Sequence, residues 1–128
     1  MPNQLSQRLR SIGQDFSLEI LEGEVARHPE NLEALRELAS ELTSAGRLRE
    51  GLAVDQKLSQ LLPDEPEIHY NLACSLALIG DADEAFRALL RAAELGYDDL
   101  AHLERDRDLD ALRGDPRFEV VRRAIGGS

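Results

Sequence analysis

The side chains that could do covalent chemistry or bind a metal are few and scattered. The three histidines, His28, His69 and His102, lie far apart in sequence, and none forms a close ligand pair with another histidine or with the one cysteine. That cysteine, Cys74, lies among apolar residues without a nearby positive charge to favour its thiolate. The sequence also lacks a glycine-rich phosphate loop and the G-x-S-x-G pattern of a nucleophile elbow. We therefore expect no enzyme, no cofactor and no metal.

The charge of the chain favours proteins over nucleic acids as partners. Its 128 residues include 25 acidic and 15 basic side chains, for a formal net charge of -10. Nucleic acid is bound largely by Lys and Arg that neutralise phosphates, whereas an acidic surface attracts basic proteins and peptides. The composition is 42% hydrophobic, with one cysteine, no long apolar run and no signal-like N-terminus. We therefore expect a soluble, cytoplasmic protein that does not bind membranes.

A repeat of 34 residues organises the middle of the chain. Segment 32–65 aligns with segment 66–99, and the matching positions pair Leu38 with Leu72, Ala39 with Ala73, Leu42 with Leu76 and Gly46 with Gly80. Each unit has apolar residues at helical spacing on both sides of its glycine, which suits a helix C-terminus. No segment shows the alternation of a β-strand. The sequence therefore predicts an all-α fold in which each unit contains two helices.

The pattern resembles the tetratricopeptide repeat. The second unit is the better match, with the family's small and large residues at Leu72, Ala73, Leu76, Gly80, Ala85, Leu89 and Ala92. The resemblance implies a right-handed superhelix of antiparallel helix pairs. Asp55, Leu58 and His69 depart from the family pattern. Because Asp55 occupies a position that is usually apolar in the family, we expect either a partly buried acid that needs a partner or a local rotation of the helix.

The resemblance also implies a division of the chain. Residues 15–125 form a single domain, in which 15–31 is a half repeat, 32–65 and 66–99 are full repeats, and 100–125 is a capping segment with a final helix. That segment is similar to the tail that closes many bacterial arrays of this family, and it covers the exposed face of the previous helix. We expect residues 1–14 to be an N-terminal tail or partial helix, and 126–128 to be a flexible tail.

In this family the first helix of each pair lines a concave groove that binds a peptide or helix of a partner protein. The resemblance therefore implies an interaction adaptor or scaffold without catalysis. By helical spacing, the groove candidates are Glu33, Arg36, Glu37, Ser40 and Thr43, then Glu67, Tyr70, Asn71, Cys74, Ala77 and Leu78. We expect a neutral or basic peptide, with Tyr70 supplying contact area and Asn71 holding its backbone.

One subtype of the family binds C-terminal carboxylates with a clamp of Lys, Arg and Asn. Arg36, Asn71 and Arg105 fall on clamp positions, whereas Ser40 and Ala101 depart from the pattern. Arg105 thus joins the groove candidates, but acidic residues on the same helices would repel a carboxylate.

A second interpretation stays open, in which the protein is a structural or oligomerisation module. Apolar and small side chains on one helix cover a sector too wide for a single buried stripe: Ala85, Phe86, Ala88, Leu89, Leu90, Ala92 and Ala93. Such an outer helix face would form a homodimer or dock on a larger complex.

Overall fold

The protein is helical throughout the part of the chain that the structure describes. This computed structural model describes the backbone of residues 4–127 and the side chains of residues 13–127. Across residues 4–127 it contains seven α-helices, one 3₁₀ helix and no strand, which confirms the all-α prediction. The elements are α1 (Gln4–Arg27), α2 (Leu32–Ser44), α3 (Leu48–Leu61), α4 (Pro66–Leu78), α5 (Ala82–Glu94), α6 (Leu100–Arg105), the 3₁₀ helix (Arg107–Leu112) and α7 (Arg117–Gly126).

The helices recur with the period of the sequence repeat. Helices α2, α4 and α6 begin at residues 32, 66 and 100, and α3 and α5 begin at residues 48 and 82. Gly46 and Gly80 follow the first helix of each pair with φ of +80° and +87°. A side chain at such a φ is strained, so glycine allows a sharp turn into the next helix. Residues 1–14 were expected to form a tail or a partial helix; residues 4–14 belong to α1, which continues to Arg27 without a break, and residues 1–3 lie outside the described residues. Of the expected tail 126–128, Gly126 ends α7, Gly127 is its left-handed cap, and Ser128 lies outside the described residues.

The chain divides into two compact units, Met1–Val54 and Asp55–Ser128, with the boundary inside α3. In the N-terminal unit, α1 packs on α2. The core of this contact consists of Leu18, Leu38 and Leu42, flanked by Leu21, Val25 and Val54. The Asn31 side chain accepts a hydrogen bond from the backbone of Ala34 and donates one to Glu24 of α1 at 3.1 Å. One residue thus caps α2 and joins it to α1.

The C-terminal unit is built around α4 and α5, which pack closely along small residues. Ala73, Ala85 and Ala92 are fully buried, and larger side chains there would force the helices apart. Helix α7 packs on α5 and α6, while the 3₁₀ helix packs on α4. The outer apolar face expected on α5 is wrong at five of its seven residues, which are buried (Ala85, Phe86, Ala88, Leu89 and Ala92), whereas Leu90 and Ala93 are half-buried.

One carboxyl group lies inside this unit. The Asp55 residue is only 5% exposed, and its Oδ2 accepts a hydrogen bond from the Ser75 hydroxyl at 2.5 Å. Burial raises the pKa of Asp55 to about 6, and the hydrogen bond from Ser75 acts in the opposite direction. The expected buried acid is thus present, and Ser75 is its partner.

Candidate functional site

A polar cleft of about 480 Å³ opens in the C-terminal unit. Its walls come from the first two turns of α4, the turn that follows α5, and the start of α6. The lining residues are Pro66, Glu67, Tyr70, Asn71, Gly96, Tyr97, Asp98, Asp99 and His102. Three separate segments of the chain therefore converge on one concave surface, which suits a binding site.

Two stacked tyrosines form one side of the cleft. The Tyr70 and Tyr97 rings lie 4.3 Å apart between centroids and within 7° of parallel, and the His102 ring lies 5.5 Å from Tyr70. Gly96 makes this possible, because its φ of +106° turns the chain after α5 and brings Tyr97 back over α4. The Tyr97 amide then donates to the Ala92 carbonyl at 2.9 Å, which holds the turn.

Behind the tyrosines, Asp106 collects polar contacts from α4 and α6. Its Oδ2 accepts hydrogen bonds from the Tyr70 hydroxyl at 2.7 Å and from Cys74 Sγ at 3.5 Å, and it lies 3.3 Å from His102 Nε2. Its Oδ1 accepts from the Asp108 amide and caps the 3₁₀ helix. Asp106 therefore ends α6, starts the 3₁₀ helix and fixes Tyr70 in place.

The Tyr70 phenol and the Cys74 thiol are both neutral donors at physiological pH. Burial, reinforced by the Asp106 carboxylate, raises the pKa of each group well above its usual range. Burial also raises the pKa of Tyr97 to about 12. A thiol in this environment is a poor nucleophile, because the reactive form of cysteine is the thiolate.

Cys74 also belongs to a group of side chains whose spacing could hold a metal ion. Cys74 Sγ and carboxylate oxygens of Asp106 and Asp108 lie within 4.8 Å of one another, a spacing that could hold a cation. A metal-bound cysteine must lose its proton, yet burial and Asp106 hold the pKa of this thiol high. Asp106 is also occupied by Tyr70 and His102. The donor set therefore fits a hydrogen-bond network better than a metal site.

The rim of the cleft is acidic. Glu67, Asp98 and Asp99 are all exposed, and Asp99 also caps α6 by accepting a hydrogen bond from the His102 amide at 3.0 Å. Among the described residues that line the cleft, His102 is the only one able to carry a positive charge. The surface therefore favours a cationic group and disfavours an anion.

The structure brings part of the predicted groove into the cleft. Glu67, Tyr70 and Asn71 line it, whereas Arg105 is exposed on the last turn of α6 and is not a lining residue. The expected open face is wrong at Tyr70, Cys74 and Ala77, which are 3%, 7% and 3% exposed, and Leu78 is half-buried. In the N-terminal unit the other candidates lie on α2. Of these, Thr43 is half-buried, and the other four are exposed: Glu33, Arg36, Glu37 and Ser40.

Sequence reasoning missed the half of the cleft that follows α5. The groove was predicted on the first helix of each full repeat. The missed lining residues lie outside those helices: Tyr97, Asp98, Asp99 and His102. The sequence feature that indicates this half of the cleft is the glycine at position 96, followed by an aromatic residue and two acids. A left-handed turn at that glycine returns the next residues to the helix pair.

Comparisons with known proteins add no relative: no family model, curated protein or solved structure matches the chain. Within the part of the chain that the structure describes, no helix combines the length and apolar character that crossing a bilayer requires.

Proposed function

We propose that the chain is a tetratricopeptide-type array whose helix pairs form a right-handed superhelix. The support is the 34-residue recurrence of helix starts at residues 32, 66 and 100, together with that of α3 and α5 at 48 and 82. In a third repeat of the same period, the second helix would begin at residue 116, and α7 begins at residue 117. Residues 100–126 would then be a shortened third repeat that covers the end of the array.

On this scaffold we propose a protein-interaction adaptor that binds a peptide and carries out no catalysis. The observation that carries the proposal is the acidic cleft beside the Tyr70–Tyr97 stack. A Lys or Arg side chain of the peptide would be bound by the carboxylates of Glu67, Asp98 and Asp99. Asn71, exposed on the same wall, offers both a donor and an acceptor to the peptide backbone.

The charge of the whole chain supports the same choice of ligand. A net charge of -10 would steer a basic peptide towards the protein and would speed association at low salt. A peptide bound through its C-terminal carboxylate fits poorly, because Glu67 and Asp98 line the same cleft as Asn71. The proposed ligand is thus a neutral backbone segment with at least one basic side chain.

A peptide library with one fixed position tests this proposal. We would compare libraries in which that position is Arg, Lys, Leu or Glu and measure their binding to the wild-type chain by fluorescence anisotropy. The Arg and Lys libraries should bind most tightly, and their affinity should fall as salt is raised. Equal binding of the Glu and Arg libraries would contradict the proposal.

Matched charge variants then locate the site. Glu67→Gln with Asp98→Asn removes two charges from the cleft, and Glu30→Gln with Glu65→Gln removes two exposed charges that do not line it. The first pair should weaken binding of the Arg library about tenfold, which corresponds to about 1.4 kcal/mol. The second pair should change it much less. Equal losses in both variants would show that net charge, rather than the cleft, determines binding.

A further inference from the structure

Helix α1 has apolar residues on two opposite faces, and the N-terminal unit covers only one of them. Leu18, Leu21 and Val25 pack into the core formed with α2. On the opposite side, Phe16 is 64% exposed and Ile20 is 54% exposed, one helical turn apart. Exposed apolar residues of this size are common singly, but two neighbours on one face indicate a contact surface.

The sequence places further apolar residues at helical spacing before Phe16 and Ile20. Leu5, Leu9 and Ile12 precede Phe16 and Ile20 at spacings of three and four residues. At about 100° per residue, the five positions fall within a sector of about 80° on the helix. Such a row is the pattern of a helix that pairs with another helix.

The distribution of charge along α1 indicates which helix could pair with its apolar row. Residues 4–14 carry two bases and no acid, whereas residues 15–27 carry four acids and one base. Within the N-terminal unit, Glu22 already pairs with Arg47 and Glu24 accepts a hydrogen bond from Asn31. Among residues 13–127, the exposed acids Asp15 and Glu19 form no ion pair, and both lie on α1 beside the apolar row.

We propose that the protein forms a homodimer by antiparallel pairing of α1 with α1 of a second copy. A two-fold axis near residues 12 and 13 aligns Leu5 with Ile20 and Leu9 with Phe16 of the second copy. Each basic first half then lies along an acidic second half, and position 8 falls between positions 15 and 19 of the second helix. A parallel pair would instead place the two acidic halves together, which is unfavourable.

Sedimentation of the full chain over a micromolar concentration range tests this dimer. The wild type should approach twice the single-chain mass of 14.2 kDa. Phe16→Gln with Ile20→Gln should give a monomer with unchanged far-UV circular dichroism, because both side chains are exposed outside the core. Val120→Gln removes another exposed apolar side chain, 56% exposed on α7, and should remain a dimer.

A charge exchange tests the antiparallel direction. Arg8→Glu alone should weaken the dimer about tenfold or more, and Arg8→Glu combined with Glu19→Arg should restore it. A monomeric wild type, or a dimer that survives the Phe16 and Ile20 substitutions, would overturn the proposal. A dimer without rescue by the charge exchange would overturn the antiparallel arrangement. Both results are independent of peptide binding in the C-terminal unit.

Discussion

The buried carboxyl of Asp55 should make the protein less stable as pH rises through the weakly acidic range. An exposed aspartate has a pKa near 3.8, whereas burial raises that of Asp55 to about 6 in the folded protein. Between these values the folded chain binds more protons than the unfolded chain, so the free energy of unfolding falls as pH increases. The free energy of unfolding falls by about 1.4 kcal/mol per pH unit between the two pKa values, so the ionisation of buried Asp55 costs about 3 kcal/mol of stability at neutral pH.

Asp55→Asn removes that penalty. The amide oxygen can still accept the hydrogen bond from Ser75, and the side chain hardly changes in size. We expect the variant to be more stable than the wild type by about 1–3 kcal/mol at neutral pH, with the difference shrinking as pH falls towards about 4. Asp64→Asn, at a side chain that is 88% exposed, makes the same charge change at the surface and shows the effect of net charge alone.

Urea unfolding followed by tyrosine fluorescence suits this measurement. The sequence has two tyrosines and no tryptophan, and both Tyr70 and Tyr97 lie in the C-terminal unit with Asp55. A stability difference between Asp55→Asn and the wild type that stays constant between about pH 4 and 7 would refute the reasoning. A less stable variant at neutral pH would also refute it, since that result requires the carboxylate to be stabilised by its surroundings.

Ser75 provides an independent check on the same pair, because Ser75→Ala removes the hydrogen bond that opposes the pKa rise. We expect a loss of about 1–3 kcal/mol at neutral pH and a smaller loss when Asp55 is protonated, measured by urea unfolding; equal losses would count against the pairing. At Gly51, an added Cβ would lie 2.7 Å from Thr43 Oγ1, so Gly51→Ala should destabilise the protein by about 1 kcal/mol, and Thr43→Ala should relieve the clash. Additive effects in the double variant would show that the two residues do not interact. Cys74 should react with an aromatic disulfide reagent only as fast as the C-terminal unit opens, because the thiol is buried and its pKa is raised; rapid reaction of the folded protein would contradict that environment.

The local features of the fold were predictable from the sequence because each has a local cause. Apolar residues at helical spacing define the buried faces of α2 and α4, and the glycines at 46 and 80 end those helices with positive φ. The buried acid at Asp55 was one of two alternatives that its departure from the family pattern predicted. These features depend on residues within one repeat, so the 34-residue comparison exposes them.

The face of α4 that carries Tyr70 is buried by a contact that the spacing of residues in the sequence does not reveal. Helix α6 ends at Arg105 without a glycine or proline at its C-terminus. Asp106 accounts for the break, because its two carboxylate oxygens are held by Tyr70 and by the Asp108 amide. Tyr70 precedes Asp106 by 36 residues, so the partner is known only once the chain has folded. This contact turned an expected open face into a buried one.

The same contact changes the role that Tyr70 can have in binding. Its hydroxyl is held by Asp106, its ring is stacked on Tyr97, and the residue is only 3% exposed. Tyr70→Ala would leave a cavity and remove one hydrogen-bond donor from Asp106, at a cost of about 3–5 kcal/mol in stability. Loss of peptide binding in that variant would therefore report on the shape of the cleft rather than on a contact with the peptide. Asn71 and Glu67 are exposed on the same wall, so substitutions there separate recognition of the peptide from folding of the unit.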